Sequence, residues 1–158
     1  MLLYRGSRDG FSAAEFHKKC DNVANTLVLV KTEYGKTIAG FTEAAWNSVA
    51  NNYVHGTNKK CFLLSLDMRE KMVPNEQSYL IYCHPNYGPT FGKYSHDLFI
   101  ADNCNNNRNS HANFPHCYNR EGIEFKYKSE QSTVQKFVGS TSGCYFRVVD
   151  YEVFKVVQ

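Results

Sequence analysis

Nothing in the 158-residue chain approaches the roughly 20 apolar residues that a helix needs to cross a bilayer. The opening MLLYRGSRDG also lacks the apolar stretch of a secretion signal. These absences predict a soluble, cytoplasmic protein with no transmembrane segment. A surplus of one charge is missing too: 18 Lys and Arg stand against 15 Asp and Glu, a net +3, with no basic stripe to track a phosphate backbone. Nucleic acid is therefore not the expected partner. No CxxC pair and no Asn-x-Ser/Thr sequon occurs, so Cys20, Cys61, Cys83, Cys104, Cys117 and Cys144 are read as reduced thiols rather than three disulfides. The glycine-containing stretch around Gly88 and Gly92 lacks the GK[ST] element of a phosphate loop.

What the chain does have is aromatic residues, 11 Tyr and 11 Phe within a 42% apolar composition. Aromatic side chains fit a pleated, half-buried surface, which points to strands around one core and to a single domain over 1–158. The segment GFSAAEFHKKCDN places His17, Cys20 and Asp21 close together, and helix chemistry accounts for it first. Ser12 is the expected N-cap, Glu15 completes a capping box, and Phe11 with Phe16 has the spacing of a hydrophobic staple. The helix is predicted over about 13–20, with Phe16 and Cys20 on one apolar face, Lys18 and Lys19 in water, and His17 partly exposed. Asp21 and Asn22 end it. Cys20 lies at the helix C-terminus, where the dipole disfavours a thiolate, so a structural role is preferred to a nucleophile.

Leu27–Val30 and Ile38–Phe41 are predicted as a hairpin around Gly35, with Gly40 marking a bulge or a close neighbour. The stretch 42–60 reads as a long connection pinned by Trp46, the only tryptophan. Strands are expected at 61–66, at 78–83 and around 98–101. The charged link 67–77 reads as a loop, and the polar segment 103–119 as a loop anchored by Phe114. A final strand alternates around Phe146, Val148, Asp150 and Glu152.

The blocks LLYRGSRDGFSAAEFHKKCDN (2–22), GFTEAAWNS (40–48), FLLSL (62–66), PTFGKYSHDLFIADNCN (89–105) and YFRVVDYEVFKV (145–156) resemble the TLDc domain family, found at the end of oxidation-resistance proteins. They follow the family order and span nearly the whole chain. The resemblance implies a mainly β fold with a few helices, a two-sheet antiparallel β-sandwich of the TLDc type. It implies a non-catalytic interaction domain linked to oxidative-stress protection, with the peripheral sector of the proton-pumping V-ATPase as protein partner. By the same resemblance the protein works in the cytoplasm, beside organelle membranes through that partner. Two departures stand out. The helical sequence that usually precedes LLYRGSRDGF in the family is lacking ahead of that block, and the family's glycine run reads Phe91-Gly92-Lys93-Tyr94 here.

The reading assigns no catalytic residue, metal or cofactor. Its alternative is a thiol- or metal-dependent enzyme or oxidant scavenger built on the 96–117 region, where His96, Asp97, Asp102, Cys104, His111, His116 and Cys117 are concentrated. Asx-turns and backbone hydrogen bonds account for such side chains in a polar loop more readily. Cys104 and Cys117, placed in loops, are expected to be the exposed thiols. The connections 42–60, 84–97 and 102–122 are the expected display surface, with Lys93, His96 and Arg108 among the partner contacts.

Overall fold

A computed structural model describes residues 1–56, 59–75, 79–122 and 131–157. Along the chain run β1 (Leu2–Arg5), α1 (Gly6–Asp9), α2 (Ala13–Cys20), β2 (Thr26–Thr32), β3 (Thr37–Thr42), β4 (Asn52–His55), β5 (Cys61–Ser65), β6 (Glu70–Pro74) and β7 (Tyr79–Cys83). They are followed by β8 (Thr90–Phe91), β9 (Leu98–Phe99), β10 (Ser110–Ala112), β11 (Tyr118–Arg120), α3 (Gln131–Val138), β12 (Tyr145–Phe146) and β13 (Val148–Lys155). Two antiparallel sheets result, in the orders β1-β13-β2-β3-β5-β6-β11 and β12-β10-β9-β8-β7-β4. The chain is mainly β with three helices among the described residues, as a two-sheet sandwich requires.

The β2–β3 hairpin forms as expected, Thr26 opposite Thr42 through Lys31 opposite Thr37, with Gly35 at φ +78 in the loop. Alternate residues of β2 point inward: Thr26, Val28, Val30 and Thr32 are buried, while Leu27 and Leu29 line the outer face. Gly40 has no bulge. The Phe91 ring from the opposite sheet lies where a side chain would start, 2.4 Å from the position of an added Cβ. The core between the sheets combines Val28, Ile38, Leu63, Met72 and Val153 with Ile81, Phe91, Leu98, Ala112 and Phe146. Trp46 is buried as expected; its indole N–H donates to Thr26 Oγ1 at 2.9 Å, and its ring packs edge-on against Phe16 and Phe91.

α2 spans Ala13–Cys20 as expected. Ser12 Oγ accepts from Glu15 N at 3.2 Å, a cap that contributes about 1 kcal/mol. Phe16 is fully buried against Tyr4, whereas Phe11 packs on Tyr151. The helix ends at Asp21, and Asn22 enters the left-handed region.

Four features depart from the sequence reading. The link 67–77 contains β6, whose alternation is carried by Met72 alone, buried between outward Lys71 and Val73. Two polar stretches contain short strands, β4 within 42–60 and β10 within 103–119, each recruited by pairing with a distant strand. The final strand changes parity. The expected strand is in fact two, Phe146 facing inward from β12 of the second sheet and Val148 from β13 of the first, and within β13 a register shift between Val148 and Asp150 turns Tyr151 and Val153 into the core in place of Asp150 and Glu152. α3 lies where the sequence reading assigns no element, although Val134, Phe137 and Val138 have the i, i+3, i+4 spacing of a buried helical face and all three are buried. Residues 57–58 and 76–78, which belong to three of the expected segments, lie outside the described residues.

Candidate functional site

The grouping of chemistry-bearing residues between 96 and 117 disperses in three dimensions. Asp97 is fully buried, and its carboxylate accepts the backbone amides of His116, Cys117 and Tyr118 at 2.9–3.1 Å. Burial pushes this carboxyl up to about 7 against the lowering effect of those three donors. Asp102 Oδ1 accepts the Ala13 amide at 2.7 Å, tying the first turn of α2 to the loop that follows β9. His111, in β10, has its ring nitrogens at 3.2 Å from the Asn109 carbonyl and 3.0 Å from the Ser95 carbonyl. Cys104 and Cys117 are buried, contrary to the expectation of exposed thiols: the 102–122 segment is tied into both sheets through β10 and β11 rather than left as an open loop. Among the described residues, no three His, Cys, Asp or Glu side chains gather closely enough to share a metal ion.

The opening His17, Cys20 and Asp21 set is also structural. His17 is buried rather than partly exposed. Its Nδ1 lies 2.7 Å from Asp21 Oδ1, and its Nε2 donates to the carbonyls of His84 and Tyr87 at 2.9 and 3.0 Å, bolting α2 to the 84–87 loop. These partners are 67 to 70 positions away, so local sequence could not reveal them. Cys20 faces the core, and burial pushes its thiol up to about 12. Cys61 and Cys104 are pushed equally high and Cys83 to about 11, again mainly by burial. All six cysteines are free, and Cys144 alone is half-buried. In the native protein a maleimide is expected to label Cys144 first, and Cys20, Cys104 and Cys117 only at the rate of unfolding. Mass mapping of labelled peptides checks this, and rapid labelling of Cys104 would contradict it.

What does converge is a band of rings on the outer face of the second sheet. Tyr145, His111 and Phe99 follow one another across β12, β10 and β9, with centroid spacings of 5.4 and 5.1 Å. The band continues through His96, stacked 5.8 Å from Phe99 and 5.2 Å from Tyr82, to Tyr53 on β4 at 4.4 Å from Tyr82. Alternation puts these residues outside: Phe99 pairs with Thr90 and His111, while the neighbouring Leu98, Phe91 and Ala112 face the core. The signal in the sequence is alternation within strands of only two to five residues, too short to stand out.

The three expected contact residues are found in different states. Arg108 is exposed, but its guanidinium grips the Glu33 carboxylate through Nε at 2.8 Å and Nη2 at 2.7 Å. The Arg108 guanidinium, with help from Arg147, holds Glu33 below the usual carboxylate range. Lys93 is half-buried over tyrosine rings. His96 is no free contact: it is half-buried in the stack at φ +51, and its Nδ1 is buried without a hydrogen-bond partner.

Burial lowers His96 from its ordinary 6.5 to about 4. The folded chain then binds fewer protons there than the unfolded chain, so this contribution to stability is complete above about pH 6.5 and is lost as pH falls through about 4. Thermal melts of the native chain and of His96→Phe between pH 7 and pH 4 test the sign. The native chain should lose melting temperature faster on acidification, and parallel curves would show that His96 titrates as a free imidazole.

A family model described as the TLDc domain matches residues 1–157. No curated protein matches the chain.

Proposed function

The chain belongs to the TLDc domain family, and from that premise we propose that it is a non-catalytic protein-interaction domain that docks on the peripheral sector of the V-ATPase and contributes to oxidative-stress protection in the cytoplasm. The observation that carries the reading is the division of labour among side chains. The reactive residues of 96–117 serve the scaffold, with Asp97 organising one loop and Asp102 capping α2, while rings and charges are displayed on the outer face of the second sheet. No helix among the described residues is long and apolar enough to cross a membrane, in keeping with attachment through a partner. Rigid sheets that present loops and aromatic side chains are the usual layout of a recognition surface.

Binding is expected to be salt-sensitive, because charges at the rim of an interface act mainly on association rate. Arg108 is the natural probe. It is 60% exposed, and solvent screens an ion pair of this kind so that it adds little to stability. Purified chain should co-sediment with the pump and alter its assembly or ATPase rate, and Arg108→Glu should slow association with little change in melting temperature. Absence of binding at micromolar concentration, together with peroxide turnover that Cys104→Ser removes, would replace this reading with the thiol-enzyme alternative.

A further inference from the structure

Three tyrosines from separate segments surround one ammonium group. Lys93 Nζ lies 4.0 Å from the ring centroid of Tyr79, 4.4 Å from that of Tyr94 and 5.6 Å from that of Tyr53. All three fall within the distance at which a ring quadrupole attracts a cation. Among the described residues no carboxylate pairs with Lys93, so the rings supply the neighbourhood of the charge. The Tyr94 and Tyr79 side chains beside it raise the lysine above its ordinary range.

Two walls of this cage are fixed before any cation arrives. Tyr53 on β4 and Tyr79 on β7 meet edge to face at 5.4 Å; Tyr79 also packs against His55 at 4.0 Å, and Tyr53 against Tyr82 at 4.4 Å. The third wall stands on a tightly wound loop. Gly92, Tyr94 and His96 have φ of +83, +59 and +51. Gly92 is suited to that region, and an aromatic residue is not. The loop is pinned at its ends, where Gly92 N donates to the Leu80 carbonyl at 3.0 Å and Asp97 N to the Phe91 carbonyl at 2.9 Å. Between the pins, Tyr94 is 73% exposed. Backbone strain that holds an exposed aromatic ring over a cation is the kind found at ligand clamps and switches.

We propose that Tyr53, Tyr79 and Tyr94 form a recognition cage for the alkylammonium side chain of a partner's lysine, and that Lys93 fills the cage as a plug in the isolated chain. The location favours a lysine carried on an extended segment. Among the described residues β4 is the outermost strand of its sheet, and a segment added along that edge brings every second side chain within reach of Tyr53. A cage of this type selects charge and shape rather than sequence, so a partner's lysine and Lys93 compete for one place. Lys93, attached through a short loop, competes at an effective concentration of roughly millimolar. Entry of the partner's lysine therefore requires Lys93 to withdraw, and loss of the Lys93 charge, as by acetylation, opens the cage. This mode of docking rests on the interaction-domain reading, although the cage itself can be tested without any partner.

The probe is n-butylammonium, the lysine side chain without its backbone, titrated into the full chain while the tyrosine ring resonances are followed by NMR. Lys93→Ala is expected to bind it at least tenfold more tightly than the native chain, and adding Tyr79→Ala to that variant should remove the gain. If the Tyr79 variant does not fold, Lys93→Ala with Tyr94→Ala replaces it, because Tyr94 projects from the loop into solvent. Equal binding by the native chain and Lys93→Ala, or binding that survives loss of the cage tyrosine, overturns the proposal. A cage that behaves as expected in a chain that fails to bind the pump would leave this site standing and refute the pump reading; a failed cage in a chain that binds the pump would do the reverse.

Discussion

Gly40→Ala is expected to destabilise the fold by about 3 kcal/mol, the upper part of the usual range for overpacking a core. The methyl group would begin 2.4 Å from Phe91 Cζ and 2.5 Å from Cε2, inside van der Waals contact. Neither side can yield easily. Gly40 lies mid-strand in β3, between Val28 of β2 and Leu63 of β5, and Phe91 is wedged edge-on between Trp46 and Tyr118. For a domain of this size the loss amounts to roughly 10 °C in melting temperature. Shortening the obstructing ring should return part of it, so Phe91→Leu combined with Gly40→Ala is expected to cost less than the sum of the two single changes. Urea unfolding of the four proteins measures the coupling; strict additivity would mean that the ring is not what excludes the methyl group.

Asp97→Ala should cost more, about 4 kcal/mol, through a different mechanism. The carboxylate accepts amides from three consecutive residues, His116, Cys117 and Tyr118, and the Cys117 and Tyr118 amides are buried with it. Removing one acceptor orphans several donors at once, each at about 1–3 kcal/mol where water cannot follow. The damage should spread along the chain. Tyr118 opens β11, donates its hydroxyl proton to the Leu80 carbonyl and touches Cys61 Sγ at 2.8 Å. Amide exchange at 116–118 should rise sharply in a variant that still folds, and unchanged protection there would refute the role. Asp97→Asn retains one acceptor oxygen and should lie between the two.

Both residues show where the sequence was readable. Gly40 stands out because a glycine inside a β-branched and aromatic strand demands a reason; the reason is a close neighbour, Phe91, whose identity lies 51 positions away and is not local. Helix α2 was legible because Ser12, Glu15 and Phe16 encode its start within a few positions. Asp97 was visible only as one of several acidic and thiol groups in a polar stretch, because its partners follow 19 to 21 residues later and are backbone amides, which leave no mark in a sequence. The cage has the same character. Lys93 and Tyr94 were noticed as a departure from a glycine run, but Tyr53 and Tyr79 join them through the pairing of β4 with β7, which no local pattern announces. β6 differs again: a short strand with one buried residue, Met72, carries little periodicity to detect.

The position of β13 has a consequence for the order in which the molecule can be made. The last strand of the chain is not an edge: it lies between β1 and β2, pairing with one over Leu2–Arg5 and with the other over Thr26–Thr32. A nascent chain that has emerged as far as β12 holds both neighbours but lacks the strand that joins them, along with Tyr151 and Val153 of the core. Until synthesis has passed 148–155, β2 presents an open edge and β1 has no partner, the circumstances in which strands pair with the wrong chain. The first sheet therefore closes only after translation of this segment is complete, and truncation within 148–155 removes an interior strand rather than a tail.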